Sequence, residues 1–141
     1  MRTVKINGVE WLTTNLKEGN KIFFSYEEAI NACKGKPFRL PTVKEVETLL
    51  DESKVTRRWV EGNPGGYEFT DKSNNNSLFL HAFGVFNYSD GECRWGGIDG
   101  NYRCITNGMW DAPKLSFNNT DIEINGHGIK SCFSVRCVAE N

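Results

Sequence analysis

Residues 63–141 carry 10 of the 14 glycines and 11 asparagines, a density that leaves no room for a long helix. Both residue types tolerate positive φ and dominate tight turns, so this part of the chain should consist of short strands and loops. The first 62 residues have the opposite texture, with 20 of the 35 charges, 11 basic and 9 acidic. Any helices should therefore lie early. The change is gradual and no Pro/Ser-rich linker marks it, so residues 1–141 are read as one domain.

Two helices can be placed from their caps. In "SYEEAINACKG" Ser25 is the cap, and Glu28 three residues later completes a capping box. Tyr26, Ala29, Ile30 and Cys33 recur at i, i+3, i+4 and i+7, so Cys33 shares the buried stripe, and Gly35 stands where a helix stops. "RLPTVKEVETLLDE" repeats the device with Thr42 and Glu45. Val43, Val46, Leu49 and Leu50 form its apolar face, and Pro41 holds Leu40 extended. Helices are thus predicted over 26–34 and 43–52.

The strands follow from alternation and turns. "TVKI" and "VEWL" flank Asn7-Gly8, the strongest two-residue hairpin signal. "GGYEFT" and "SLFLHAF" read as strands joined through Asn74, Asn75 and Asn76, and "PKLSF" and "DIEI" as a hairpin around Asn118-Asn119. "CFSVRCV" alternates, predicting a half-buried last strand. Phe133, Val135 and Cys137 would take one face, and Ser134, Arg136 and Val138 the other. Residues 87–113 show no period and read as the loop region, where function is normally sited.

The formal net charge is −1 and no run of lysine or arginine occurs, so no nucleic-acid partner is expected. No apolar stretch approaches the roughly 20 residues of a membrane span, so no membrane insertion is expected. "MRTVKINGVEWL" shows neither an apolar h-region nor a small-residue cleavage site, so no secretory leader is expected. The five cysteines are then read first as reduced, buried thiols.

In this order, "VKINGVEWLTTNL", "SYEEAINAC", "FRLPTVKEVETLL", "GGYEFT…SLFLHAFG" and "FSVRCV" resemble the Fibrobacter succinogenes major paralogous domain family of bacterial surface and phage proteins. The resemblance implies an α+β, C-type-lectin-like fold. Its N- and C-terminal strands would pair, two short helices would pack on small antiparallel sheets, and a long loop region would present the binding surface. It also implies that Cys33 in the first helix and Cys137 in the last strand lie together as a structural pair. Where relatives carry a Tyr/Trp-Trp-Ser-Ser segment this chain has "WGGIDGNYRCIT", with Tyr102, Arg103 and Cys104 at the diverged positions.

Arg94, Trp95, Tyr102, Arg103 and Trp110 are the candidate binding residues, because aromatic and arginine side chains dominate interaction hot spots. Core packing is the competing reading for the three aromatics. Cys132 and Cys137 have the spacing of a cysteine pair in formylglycine-generating enzymes. In an extended strand, however, they would stand about 16–17 Å apart on opposite faces, and a disulfide needs Cα atoms within about 7 Å. Cys93 with Cys104, or Cys104 with Cys132, are the alternatives for the other thiols. His81 and His127 have no partner at zinc spacing. Asp90, Glu92, Asp99 and Asp111 are loop carboxylates without a lectin calcium triplet, so no cofactor is expected. Sequons at Asn75, Asn87 and Asn118 would matter only in a eukaryotic secretory setting.

The expectation is a non-enzymatic binding or assembly module: a bacteriophage virion component such as a capsid decoration, head-fibre or tail-fibre protein. Its partners would be other virion proteins or a host-surface glycan or protein, with homo-oligomerisation open. It would be made in the host cytoplasm and reside in the virion. The alternatives are a carbohydrate-binding lectin domain on the bacterial cell surface and an oxidoreductase akin to formylglycine-generating enzymes, which would require a reactive Cys132.

Overall fold

A computed structural model describes residues 1–87, 91–94, 96–105, 112–126 and 131–140. The protein is mixed α+β and mostly strand, with two short helices and several small antiparallel sheets. Strands β1 (Thr3–Ile6) and β2 (Val9–Leu12) pair around Asn7-Gly8. The φ angles there, 46° and 83°, are both left-handed, as the mirror-image two-residue turn requires. Helix α1 (Tyr26–Cys33) starts with both reciprocal bonds of the Ser25–Glu28 box, and Gly35 follows its cap at φ 72°. After β3 (Phe38–Arg39), α2 (Val43–Leu49) starts on the equivalent Thr42–Glu45 box. It stops three residues short of the expected end. Asp51 Oδ1 takes the Ser53 N–H and hydroxyl in a local turn that competes with helical continuation.

Next, β4 (Val55–Val60), β5 (Gly66–Asp71) and β6 (Ser77–His81) form a sheet in that order. β4 was not foreseen, because consecutive Arg57 and Arg58 blur its alternation; Arg58 stands opposite Glu68 and pairs with it at 2.9 Å. The region read as loops also contains strands. β7 (Val85–Asn87) pairs with β8 (Glu92–Arg94), and β9 (Gly100–Arg103) joins β10 (Pro113–Phe117) and β11 (Ile122–Gly126) in the order β11-β10-β9. All four residues of β9 are buried, so no alternation was there to read.

The final segment departs most from expectation. Only β12 (Val138–Ala139) is regular strand, and all seven residues from Cys132 to Val138 are buried, Ser134 and Arg136 included. Its backbone works as a seam, bonding a different neighbour at nearly every step. Cys132 exchanges bonds with Phe86 at 3.0 Å, and Phe133 with Phe24 at 2.9 and 3.0 Å. Ser134 bonds Asn101 and Arg103, Val135 accepts from Leu16, and Cys137 accepts from Leu12. Arg136 tolerates burial because it donates to Asn15 Oδ1 at 2.7 Å, Phe79 O at 3.2 Å and Leu12 O at 3.4 Å.

Val138 then lies between Trp11 of β2 and Arg39 of β3, completing a sheet ordered β1-β2-β12-β3. The two ends of the chain therefore share a sheet, with the last strand paired to the second, β2, and not to the first, β1. Among the described residues, the larger core gathers Leu49 from α2 and Ile6, Trp11, Val55, Phe69, Leu80 and Leu115 from every sheet except β7-β8. A second cluster of Phe24, Ala29, Leu40, Val135 and Cys137 seals α1 against the seam.

Candidate binding face

Register divides β9, β10 and β11 into two faces. Tyr102, Leu115, Phe117, Ile122 and Ile124 share one, which packs into the larger core. Gly100 belongs to the same face, where a Cβ would collide with the Phe117 ring. Asn101, Arg103, Lys114, Ser116, Glu123 and Asn125 share the other. Burial deepens across this polar face: Glu123 is exposed, Ser116 and Asn125 are half-buried, and Asn101, Lys114 and Arg103 are buried.

The polar side chains bond mainly to one another and to backbone. Lys114 Nζ donates to Asn101 Oδ1 at 2.6 Å, and Ser116 Oγ donates to the same oxygen at 3.3 Å. Asn125 Nδ2 donates to Glu123 Oε1 at 3.0 Å, and among the described residues the buried Asn125 Oδ1 has no hydrogen-bond partner. Arg103 donates from Nε to Phe24 O and from Nη1 to Ala112 O, both at 3.4 Å, and from Nη2 to Ser131 O. Its guanidinium lies 4.3 Å from the centre of the Phe133 ring, and the Lys114 ammonium 5.0 Å from the same ring. One aromatic ring thus supports two cations.

Burial brings the Arg103 guanidinium down to about 10, which leaves it charged at neutral pH. Burial also lowers Lys114, with the Arg103 charge adding to the effect. The Asp99 carboxyl is pushed up by burial, against the pull of Lys114. The face thus presents Glu123, Ser116 and Asn125 toward solvent, while Asn101, Lys114 and Arg103 form its covered end.

Of the five predicted binding residues, the three described ones, Arg94, Tyr102 and Arg103, do not form one surface. Arg103 belongs to the polar face but stands at its covered end and is fully buried. Tyr102 points from the same strand to the opposite side. Its hydroxyl donates to His81 O at 2.8 Å and accepts from Asn15 Nδ2 at 3.2 Å, and burial pushes it up to about 12. Tyr102 and Arg103 are both interior, because both sides of β9 are covered, and for Tyr102 this matches the core packing that competed with the binding reading. Arg94 is exposed on β8, 3.8 Å from Glu92. Trp95 and Trp110 lie outside the described residues. Asn101, Lys114, Ser116, Glu123 and Asn125 were missed, although the alternation of "PKLSF" and "DIEIN" already put the polar members of β10 and β11 on one side.

All five cysteines are thiols. Cys33 Sγ and Cys137 Sγ lie 3.7 Å apart, as the resemblance implied. The contact lowers the Cys33 thiol, because Cys137 can donate to its thiolate; the same contact, together with burial, raises Cys137. Cys132 instead lies 3.9 Å from Glu28 Oε1 and is bridged to Phe86, so Cys132 and Cys137 face different neighbours. Cys93 is exposed on β8 while Cys104 is in the larger core, and neither alternative pairing is formed. Among the described residues, no three His, Cys, Asp or Glu side chains are grouped to hold a metal; Asp90, Asp111 and His127 lie outside them. Comparison with family models, curated proteins and solved structures finds no match to this chain.

Proposed function

We propose that this protein is a non-enzymatic, C-type-lectin-like binding or assembly module, and that it serves as a component of a bacteriophage virion, as a capsid decoration, head-fibre or tail-fibre protein. The observation that carries the binding reading is the two-sided β11-β10-β9 sheet. One side is spent on the core, and the other holds six polar residues in fixed register. Strands that fix donors and acceptors before a partner arrives lower the ordering cost of binding. The pairing of the chain's ends in one sheet supports the lectin-like reading, as does the contact of Cys33 with Cys137. The virion assignment rests on the sequence resemblance.

Mass spectrometry of purified particles tests the assignment: the protein should be present in stoichiometric amount and should co-purify with a capsid or tail component. Particles that lack it overturn the virion reading. The face is tested separately by Glu123→Lys and Ser116→Ala, which should weaken partner capture without moving the Tm. Unchanged capture would remove the face from the function. Glycan binding by the isolated protein, without virion association, would instead favour the cell-surface lectin.

A further inference from the structure

The β7-β8 ladder has an outer edge whose backbone phase can be worked out. Its register is Val85↔Arg94, Phe86↔Cys93 and Asn87↔Glu92. On the far side of β7, Phe86 and Cys132 exchange both backbone hydrogen bonds at 3.0 Å. In an antiparallel ladder the N–H and C=O of one residue point to the same side, and successive residues alternate. Phe86 therefore spends its groups on Cys132, while Val85 and Asn87 turn theirs to Arg94 and Glu92. By the same alternation, the N–H and C=O of Cys93 point outward from β8, away from β7. Glu92, Cys93 and Arg94 are all exposed, and among the described residues no strand pairs with this edge.

We propose that this edge pairs with the same edge of a second copy of the chain, antiparallel about a two-fold axis at Cys93. The phase fits, because Cys93 would exchange two N–H···O bonds with the partner's Cys93, at a Cα separation of about 5.5 Å. The charges fit as well. Glu92 falls opposite the partner's Arg94, and Arg94 opposite the partner's Glu92, giving two attractive cross-strand pairs. Within the strand Glu92–Arg94, moving the axis by one residue either way puts Glu92 against the partner's Glu92, or Arg94 against the partner's Arg94, so the strand's own charges favour the axis at Cys93.

A short charged edge is also how proteins ward off pairing. A guard of one sign repels its own copy, whereas this edge carries one charge of each sign in an order that attracts it. Beside it opens a cleft of about 470 Å³ lined by Asn20, Lys21, Ile22, Phe23, Phe86 and Cys93. Ile22 is exposed there, and Phe23 stacks on Phe86 at 6.4 Å. Because Cys93 and Phe86 share a face, the two-fold axis sets two such clefts side by side, with the Glu92–Arg94 pairs on the opposite face. Three residues of edge bury less than the roughly 1,200 Å² of a stable interface. Association is therefore expected in the micromolar range or weaker.

Sedimentation velocity of the reduced protein, from micromolar to millimolar concentration, should show a monomer–dimer equilibrium. Diamide, which takes up the two electrons and two protons of two thiols, should then give a reductant-sensitive dimer joined Cys93 to Cys93. Peptide mapping identifies the link, and Cys93→Ser should abolish it. Glu92→Arg sets like charges in both pairs and should weaken the dimer about tenfold. Adding Arg94→Glu to that variant should restore it, because the pairs are then merely exchanged. A protein that stays monomeric throughout, or a dimer that ignores both the reversal and the exchange, overturns the proposal.

Discussion

At the scale of the residue, the sulfur contact between Cys33 and Cys137 joins positions 104 apart in sequence. Oxidising that pair would close a loop of about 105 residues and stabilise the fold by about 4–5 kcal/mol in the chain-entropy account. Mild oxidation should therefore raise the urea midpoint, an effect reversed by reductant and absent in Cys137→Ala. In the reduced protein Cys33 should alkylate before Cys137, since their contact lowers the one and raises the other. Gly66 makes a steric prediction. A Cβ there would strike Leu80 O and come within 2.9 Å of His81 Cα, so Gly66→Ala should cost about 1–3 kcal/mol in chemical denaturation. The inward placement of Cys33 was legible because a helix with one wet side prints its buried stripe at i, i+3, i+4 and i+7. Tyr102 and Arg103 were not legible in the same way. A strand covered on both sides has no period, and an arginine beside an aromatic reads as a hot spot until the chain that buries it is known.

At the scale of the element, the two capping boxes made both helices readable, since a reciprocal pair of hydrogen bonds is specified within four residues of sequence. Thr42→Ala removes the acceptor for the Glu45 N–H and should cost about 1 kcal/mol by urea titration. Glu45 serves twice, accepting from the Thr42 N–H at 2.9 Å and from both Arg39 terminal nitrogens at 2.7 and 2.9 Å. The Arg39 hydrogen bonds hold its carboxyl below the usual carboxylate range, with the Thr42 N–H helping. A depressed acid stabilises fully above its unfolded value and loses that contribution as pH falls through the folded one. The urea midpoint should therefore drop below about pH 4.5, and the Glu45-dependent part of that drop should be missing in Glu45→Gln. Strands joined by Asn-Gly or Asn-Asn turns were readable for the same local reason, whereas β4, β7, β8 and β9 were not. The pairings of β4 and of β7 with β8 are local. However, consecutive arginines blur β4, β7 and β8 are only three residues long, and β9 is covered on both sides, so none of them shows a period.

At the scale of the whole molecule, the seam from Cys132 to Val138 draws together chain from residue 12 to residue 103. Alternation suggested a wet face at Ser134 and Arg136, on the premise that polar residues mark solvent. Here backbone carbonyls and Asn15 take the place of solvent around Arg136. Arg136→Ala should therefore cost about 3 kcal/mol, because three acceptors lose a charged donor; Arg136→Lys, with a single nitrogen, should recover only part of it. Denaturation followed in parallel by fluorescence and far-UV dichroism should remain a single transition, since the seam spans the elements that would otherwise separate. The sheet that closes the chain has a mechanical corollary. β1 and β12 each run antiparallel to β2, so they run parallel to one another on its two sides. Tension applied to the two termini pulls β1 backward and β12 forward along the strand axis, across hydrogen bonds that lie perpendicular to the force. The bonds are then loaded together instead of opening one by one. Stretching by single-molecule force spectroscopy should accordingly meet a higher rupture force between the termini than between a terminus and residue 75.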